Sequence, residues 1–307
     1  MDRVSDALAA YARAVAPHVD RLADAARREG APAALLRDAG LTQADTLIAA
    51  RGVLLSGPLG PDDLLMLDRS TRPEALAAAL DEYVRRGLIA PLDGGEMGEI
   101  PFYAPTLRGR DLLLRLTARQ GAAVTALWAP HDALLPALAS IATRVVGDAA
   151  ATLPLAAYPA FRLQQAAPAP LGATPAHLLL TRLVALRALR ADATTAVWRG
   201  HGLDAAQARA LTAVCCAAGS LARHEPHGAG HGAGHAADAD ADESALAALH
   251  SRRLVGRENG HWHITAPGRT LHASIEQEID ARAAHPFAAV EAPARAVFLL
   301  GLKRLPG

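Results

Sequence analysis

Hydrophobic side chains recur every three or four residues along much of the chain, which is the spacing of amphipathic helices. Residues 3–28 follow this spacing most clearly, and Gly30 and Pro32 end it. Further helices, each bounded by glycine, proline or a helix-capping residue, are predicted at 42–55, 61–67 and 72–87. The first part of the chain is therefore predicted to be helical.

The pattern changes after residue 87. Two short apolar runs, 88–92 and 100–104, flank a glycine-containing stretch and predict a β-hairpin with a long loop. Thr106 is a suitable N-cap for the long helix that is predicted to reach Leu127. The order helix, turn, helix, hairpin, helix is that of a winged-helix domain.

The same order recurs in the second half of the chain. Residues 79–90, ALDEYVRRGLIA, match residues 245–256, ALAALHSRRLVG. A second hairpin is predicted to turn at 257–260, and the run TLRGR that begins at Thr106 is matched by TAPGR at Thr265. Two copies of one supersecondary pattern indicate a duplicated unit. The predicted fold is therefore mainly α, with tandem winged-helix domains, small β-hairpin wings and long connecting helices.

The predicted division of the chain places one unit on each side of a proline-rich stretch. The first winged-helix unit, with its N-terminal and connecting helices, covers residues 1–150, and the linker covers 151–174. The second unit covers 175–307. It includes a histidine-rich insertion at 219–242 and ends in an amphipathic helix near 293–305, which is predicted to dock onto the body of the protein.

Composition and charge narrow the classes of function. The 31 basic residues balance 31 acidic ones, and a neutral chain is less typical of a dedicated nucleic-acid-binding protein. The N-terminus lacks an apolar signal core, and no stretch reaches the roughly 18 uninterrupted apolar residues of a membrane span. Cys215 and Cys216 are the only cysteines and cannot form a disulfide framework. We therefore predict a cytoplasmic protein without a membrane partner.

The two repeated blocks, residues 85–116 and 252–269, resemble winged helix-turn-helix regulators of the MarR type. The C-terminal half also resembles uncharacterised actinobacterial helix-turn-helix proteins, through residues 186–211 and 264–290. In MarR-type proteins two subunits pair through their terminal helices, and ligands bind between the reading heads and those helices. The resemblance implies a bacterial regulator of transcription that acts as a monomeric pseudo-dimer or as a homodimer.

DNA contact would fall to arginines around the first reading helix and the start of the following helix. The candidates are Arg72, Arg85, Arg86, Arg108 and Arg110. Acidic residues oppose this assignment, because the loop of the first hairpin carries Asp93, Glu96 and Glu99 and no basic residue. In the second unit a gap of 24 residues, 219–242, replaces the tight turn that normally joins the two helices.

Aromatic residues near the connecting helices form a candidate pocket for a small hydrophobic ligand. The aromatic members are Tyr11, Trp128, Tyr158, Phe161 and Trp198, with His177 and His201 as polar contacts. The alternative is that these side chains are ordinary core residues.

A candidate metal site lies in the histidine-rich insertion, where His224, His227, His231 and His235 recur every three or four residues. Imidazole binds Zn and Ni, so weak binding of either ion is one interpretation. The alternative is a disordered loop rich in glycine and alanine, without fixed geometry. No resident cofactor is predicted, and the chain has no phosphate-binding loop, nucleophile elbow or HExxH motif that would indicate an enzyme.

Two functions follow from these features. The first is a MarR-like, ligand-responsive transcriptional regulator with two winged-helix units in one chain. The second is a winged-helix scaffold that no longer reads DNA and binds a small hydrophobic molecule between its halves, for sequestration or resistance or as an enzyme of specialised metabolism. The duplication favours the first function, and the acidic hairpin loop and the long insertion favour the second.

Overall fold

The computed structural model describes residues 3–29, 73–92, 102–166, 172–220, 235–258 and 260–307. Within these ranges the protein is mainly helical and contains two short antiparallel hairpins. The chain divides into two compact units, which we call unit 1 (Met1–Asp192 and Ala281–Gly307) and unit 2 (Ala193–Asp280). The helices predicted at 42–55 and 61–67 lie outside the described residues.

Unit 1 contains most of the long helices. They are α1 (Arg3–Glu29), α2 (Pro73–Arg85), α3 (Leu107–Trp128), α4 (Leu135–Thr152), α5 (Pro159–Gln165), the first part of α6 (Pro175–Gly200) and α10 (Ala292–Arg304). Its hairpin pairs β1 (Ile89–Leu92) with β2 (Phe102–Pro105). Short 3₁₀ turns follow α3, α4 and the last residues of α9.

Unit 2 is smaller and repeats the helix–hairpin–helix order. It contains the end of α6, α7 (Ala205–Ser220), α8 (His235–Ser251), β3 (Val255–Glu258), β4 (His261–Ile264) and most of α9 (Ala266–Ala284). Its core is formed by aliphatic side chains from all of these elements, including Val197, Leu211, Leu249, Ile264 and Ile275.

The amphipathic pattern of α1 positions the core of unit 1. Val15, Val19 and Leu22 recur on one face of this helix and are buried, as the spacing predicts. Thr106 is the N-cap of α3 and accepts a hydrogen bond from Gly109 N, which confirms the predicted start of that helix.

The C-terminal helix α10 packs against α1 and α4 in unit 1, which confirms that it docks onto the body of the protein. The Tyr11 hydroxyl donates to Arg295 O at 2.8 Å. The Arg21 guanidinium donates to Leu302 O at 3.0 Å and to Leu305 O at 2.8 Å. The two Arg21 bonds satisfy carbonyl groups that the C-terminal end of α10 leaves without partners.

The observed units differ from the predicted domains. Much of the predicted linker, 151–174, belongs to unit 1: α5 begins at Pro159 and buries Phe161 and Leu163. Proline is well suited to the first turn of a helix, so a proline-rich stretch need not be an exposed linker. Residues 175–192 and 281–307, predicted to belong to the second domain, also fall in unit 1.

The histidine-rich insertion is shorter than predicted. Helix α7 extends to Ser220, and α8 already begins at His235 rather than near Glu243. For 235–242 the disordered-loop interpretation is therefore wrong, because this alanine-rich segment continues the helix. Residues 221–234, with His224, His227 and His231, lie outside the described residues.

One helical stretch, Leu107–Thr152, meets the length and composition of a membrane span among the residues described. A core helix of a soluble protein meets the same criterion, so this stretch is weak evidence for a span. A location in the cytoplasm stays a prediction.

Candidate functional site

The end of the helix before each hairpin has the same backbone geometry in both units. In unit 1, Leu88 N donates to Tyr83 O at 2.9 Å, and Gly87 adopts a φ of 66°. In unit 2, Leu254 N donates to Leu249 O at 3.0 Å, and Arg253 adopts a φ of 60°. Each hairpin therefore follows a helix whose end is marked by a residue in the left-handed backbone conformation. This residue is glycine in the first copy and arginine in the second.

A threonine joins each hairpin to the turn before it and to the helix after it. Thr106 Oγ1 donates to Gly87 O at 2.6 Å and accepts from Gly109 N at 3.1 Å. Thr265 Oγ1 donates to Arg253 O at 2.7 Å and accepts from Gly268 N at 3.1 Å. The duplication found in the sequence thus extends to individual hydrogen bonds.

The hairpins also agree in register where they leave the turn. Ile89 pairs with Pro105 in unit 1, and Val255 pairs with Ile264 in unit 2. In the second hairpin β4 begins at His261, directly after Gly260. Gly260 has a φ of 82°, which a tight hairpin turn requires.

A polar cluster ties the second hairpin to α8. Glu243 accepts hydrogen bonds from the Arg257 guanidinium at 3.2 Å and from Trp262 Nε1 at 3.1 Å. The Arg257 guanidinium also lies 5.1 Å from the centre of the Trp262 ring, within the range of a cation–π contact. His250 packs edge-on against the same ring, with centroids 5.7 Å apart. The hairpin is therefore held in a fixed position relative to α8.

The two hairpins differ in charge. Residues 85–106 carry two arginines and three carboxylates, whereas residues 252–265 carry three arginines and one carboxylate, together with His261 and His263. Both of these histidines are exposed. The second hairpin therefore presents the more basic surface.

The predicted DNA-binding arginines of unit 1 occupy different environments. Arg85 and Arg86 both form ion pairs with Glu82, and the Arg86 Nε–Glu82 Oε1 distance is 2.7 Å. Arg108 and Arg110 are exposed in the first turn of α3. Arg72 lies outside the described residues. Only Arg108 and Arg110, among the candidates that are described, present a positive charge that no observed carboxylate balances.

Three arginines surround the second hairpin, and sequence reasoning did not single them out. Arg252 donates to His201 O at 3.1 Å and to Gly202 O at 2.9 Å, beyond the end of α6. Arg257 is held by Glu243, and Arg253 is exposed. The excess of arginine over carboxylate in this hairpin was visible in the sequence and is the signal that could have identified them.

The predicted ligand-pocket residues of unit 1 are packed as core. Trp128 and Phe161 are fully buried, and Trp128 Nε1 donates to Pro306 O at 3.1 Å. Tyr11 packs edge-on against Phe287, and burial raises the pKa of the Tyr11 hydroxyl. Tyr158 is buried as well. A ligand contact by these rings stays a prediction.

The two pocket candidates in unit 2 have other neighbours. Trp198 packs against the aliphatic core of unit 2. His201 Nε2 lies 3.3 Å from Glu278 Oε2. A ligand site between the halves of the protein stays a prediction.

A small apolar pocket in unit 1 is lined by other residues. It has a volume of about 30 Å³ and lies among α1, α6, Ala283 and Phe287. At its rim Arg187 contacts Asp20 Oδ1 at 3.2 Å and Asp24 Oδ1 at 2.8 Å. Burial raises the pKa of Asp20, and the Arg187 charge opposes this shift. The pocket is far smaller than the roughly 300–1,000 Å³ typical of small-molecule sites.

His177, the remaining pocket candidate, provides a pH-dependent contribution to stability. It is 7% exposed and packs over Gly121, and burial lowers the pKa of its imidazole below the ordinary 6.5. Because the unfolded chain then binds a proton more readily, stability is expected to fall as the pH drops through the unfolded value. We expect the urea midpoint to fall between about pH 7.5 and pH 5, and to fall less in His177→Gln. Equal losses in both proteins would show that His177 does not contribute.

The predicted metal site is described only at His235, the first residue of α8. In the part of the chain that the structure describes, no group of three or more His, Cys, Asp or Glu side chains is arranged to hold a metal ion. Zn or Ni binding by the insertion stays a prediction. Cys215 is half-buried, and burial raises the pKa of its thiol, which makes it a poor nucleophile.

Two features define the candidate site, namely the duplicated helix–hairpin–helix geometry and the more basic second hairpin. Comparison of the chain with protein-family models, with curated proteins and with solved structures gives no match.

Proposed function

We propose that the protein is a MarR-like, DNA-binding transcriptional regulator built from two winged-helix units, and that unit 2 makes the principal DNA contact. The observation that carries this proposal is the repeated hydrogen-bonding of the two helix–hairpin–helix segments, from Thr106 in one copy and Thr265 in the other. In a winged helix, the helix before the hairpin enters the major groove and the hairpin contacts the phosphate backbone.

The charge of the second hairpin supports unit 2 as the contacting unit, whereas α8 carries four carboxylates and no arginine or lysine. Phosphate neutralisation supplies most of the affinity of a DNA-binding surface, and the second hairpin has three arginines against one carboxylate. The contact between Glu243 and Trp262 supports the same assignment, because it fixes the hairpin on α8 before any partner arrives. Helix α8 also exposes Ser244, whose side chain is of the kind that reaches base edges.

Unit 1 is less suited to phosphate contact. Glu82 engages both Arg85 and Arg86, whereas in the described part of unit 2 only Arg257 of the three hairpin arginines is paired with a carboxylate, Glu243. In this proposal Arg108 and Arg110 contribute at most a peripheral contact.

The test is a fluorescence-anisotropy titration with duplex DNA from the region upstream of the protein's own gene, at two salt concentrations. We expect binding that weakens steeply as salt rises, because each neutralised phosphate releases counterions. Arg257→Gln is expected to weaken binding and to reduce the salt slope by about one. The absence of binding by the parent protein at low salt would exclude a regulator of this kind.

The matched control is the double variant Arg108→Gln/Arg110→Gln, which removes two exposed charges from unit 1. We expect it to bind within about twofold of the parent protein, since in this proposal neither arginine makes the principal phosphate contact. Strong loss of binding in this variant alone would assign the contact to the first copy, as the sequence predicted, and not to unit 2.

The second candidate function is the ligand-binding scaffold, which is supported by the neutralised arginines of unit 1. A ligand larger than a few atoms would have to displace Phe287 or Leu186 from the wall of the small apolar pocket. This function would be favoured if the parent protein bound no DNA at low salt and a small apolar molecule raised its Tm.

A further inference from the structure

Arg253 occupies a backbone conformation that its residue type disfavours. It is the one non-glycine residue with positive φ in the described ranges, at 60°. An L-residue is strained there because its Cβ approaches the backbone, whereas glycine is not. The equivalent residue of unit 1, Gly87 at 66°, shows that the same turn is formed without a side chain.

The surrounding backbone maintains this conformation without help from the arginine side chain. Arg253 N donates to His250 O at 2.8 Å, and Arg253 O accepts from Thr265 Oγ1 at 2.7 Å. Unit 1 has the corresponding bonds, from Gly87 N to Val84 O and from Thr106 Oγ1 to Gly87 O. The fold of the turn therefore does not require arginine.

The guanidinium of Arg253 is also the most available one in this hairpin. Arg252 is engaged by two backbone carbonyls and Arg257 by Glu243. Arg253 is exposed, and none of the described residues forms a hydrogen bond or an ion pair with its side chain. A strained residue whose charge is left open to solvent indicates a role outside the fold.

We propose that Arg253 is a binding residue that contacts a backbone phosphate of the nucleic acid, and that unit 2 tolerates the strain at this position in exchange for that contact. The proposal rests on the proposed function and specifies the contact that unit 2 makes. Arginine suits this role, because its planar guanidinium donates to two phosphate oxygens at once.

The test combines stability with DNA affinity in three variants. Arg253→Gly removes both the strain and the charge, so we expect the Tm to rise by about 2 °C while the Kd for DNA rises about five- to tenfold. Arg253→Gln is expected to weaken DNA binding equally without the gain in Tm. Arg253→Lys is expected to retain most of the affinity. Arg304→Gln, which removes an exposed charge from α10 in unit 1, is the control and is expected to change neither property.

The outcomes separate this proposal from the proposed function. Suppose that the parent protein binds DNA with a steep salt dependence and that Arg253→Gly and Arg253→Gln bind it as tightly as the parent protein does. The proposed role of Arg253 is then overturned, whereas the proposed regulator function stands. If the parent protein binds no DNA, both are overturned. A Tm that does not rise in Arg253→Gly would refute the argument from strain.

Discussion

Replacing Gly268 with alanine is expected to destabilise unit 2 by about 3 kcal/mol or more. Gly268 lies in the first turn of α9, and a Cβ at this position would overlap the carbonyl oxygen of Leu254. That oxygen cannot move freely, because it accepts hydrogen bonds from Thr265 N at 3.2 Å and from Thr265 Oγ1 at 2.9 Å. Relief of the overlap would therefore disrupt the junction between the second hairpin and α9.

Urea unfolding followed by tryptophan fluorescence measures this effect, since Trp198 and Trp262 both lie in unit 2. The control is Gly200→Ala at the end of α6, where an added Cβ meets no atom within 4 Å. We expect the control to change stability by no more than about 0.5 kcal/mol. Equal midpoints for the parent protein and Gly268→Ala would show that the junction is looser than its contacts indicate.

Replacing Asp192 with alanine is expected to destabilise unit 1 by about 2–3 kcal/mol. Asp192 is 2% exposed, and its Oδ2 accepts a hydrogen bond from Phe161 N at 2.8 Å. Phe161 lies in the first turn of α5, where backbone N–H groups have no partner within the helix and a carboxylate is favourable. Alanine would leave this donor buried without its acceptor.

Two variants control the Asp192 experiment. Asp192→Asn keeps an oxygen acceptor near Phe161 N, so we expect a smaller loss than with alanine. Asp132→Ala removes an exposed carboxylate and is expected to change stability by less than about 0.5 kcal/mol. The comparison uses urea midpoints, together with hydrogen exchange of the Phe161 amide. An exchange rate at Phe161 that is unaffected by Asp192→Ala would contradict the assigned contact.

Local features of this fold were predictable from the sequence. The bounds of α1, the N-cap at Thr106 and both hairpins follow from side-chain periodicity, capping preference and turn residues, which act over a few positions. The bounds of the second hairpin turn were less accurate: the predicted turn at 257–260 includes Arg257, which the structure places in β3 opposite Trp262.

Features that depend on distant residues were not predictable. The prolines of 151–174 indicated a linker. Their pattern does not reveal that the distant Asp192 accepts a hydrogen bond from the first turn of the helix that begins at Pro159. The aromatic residues of the candidate pocket have the same sequence signature whether they line a cavity or fill a core. Trp128 donates a hydrogen bond to Pro306 O, which lies 178 positions away in the sequence, and no local pattern predicts this contact.

The position of unit 2 within the chain has a consequence for biosynthesis. Unit 1 is completed only when α10 reaches α1, because Arg21 binds the carbonyl oxygens of Leu302 and Leu305. Unit 2 ends at Asp280, so every residue of its core has been synthesised before α10 exists. Domains generally fold as units during translation. Unit 2 is contiguous in the sequence and is therefore expected to fold without α10, whereas unit 1 needs segments from both sides of unit 2.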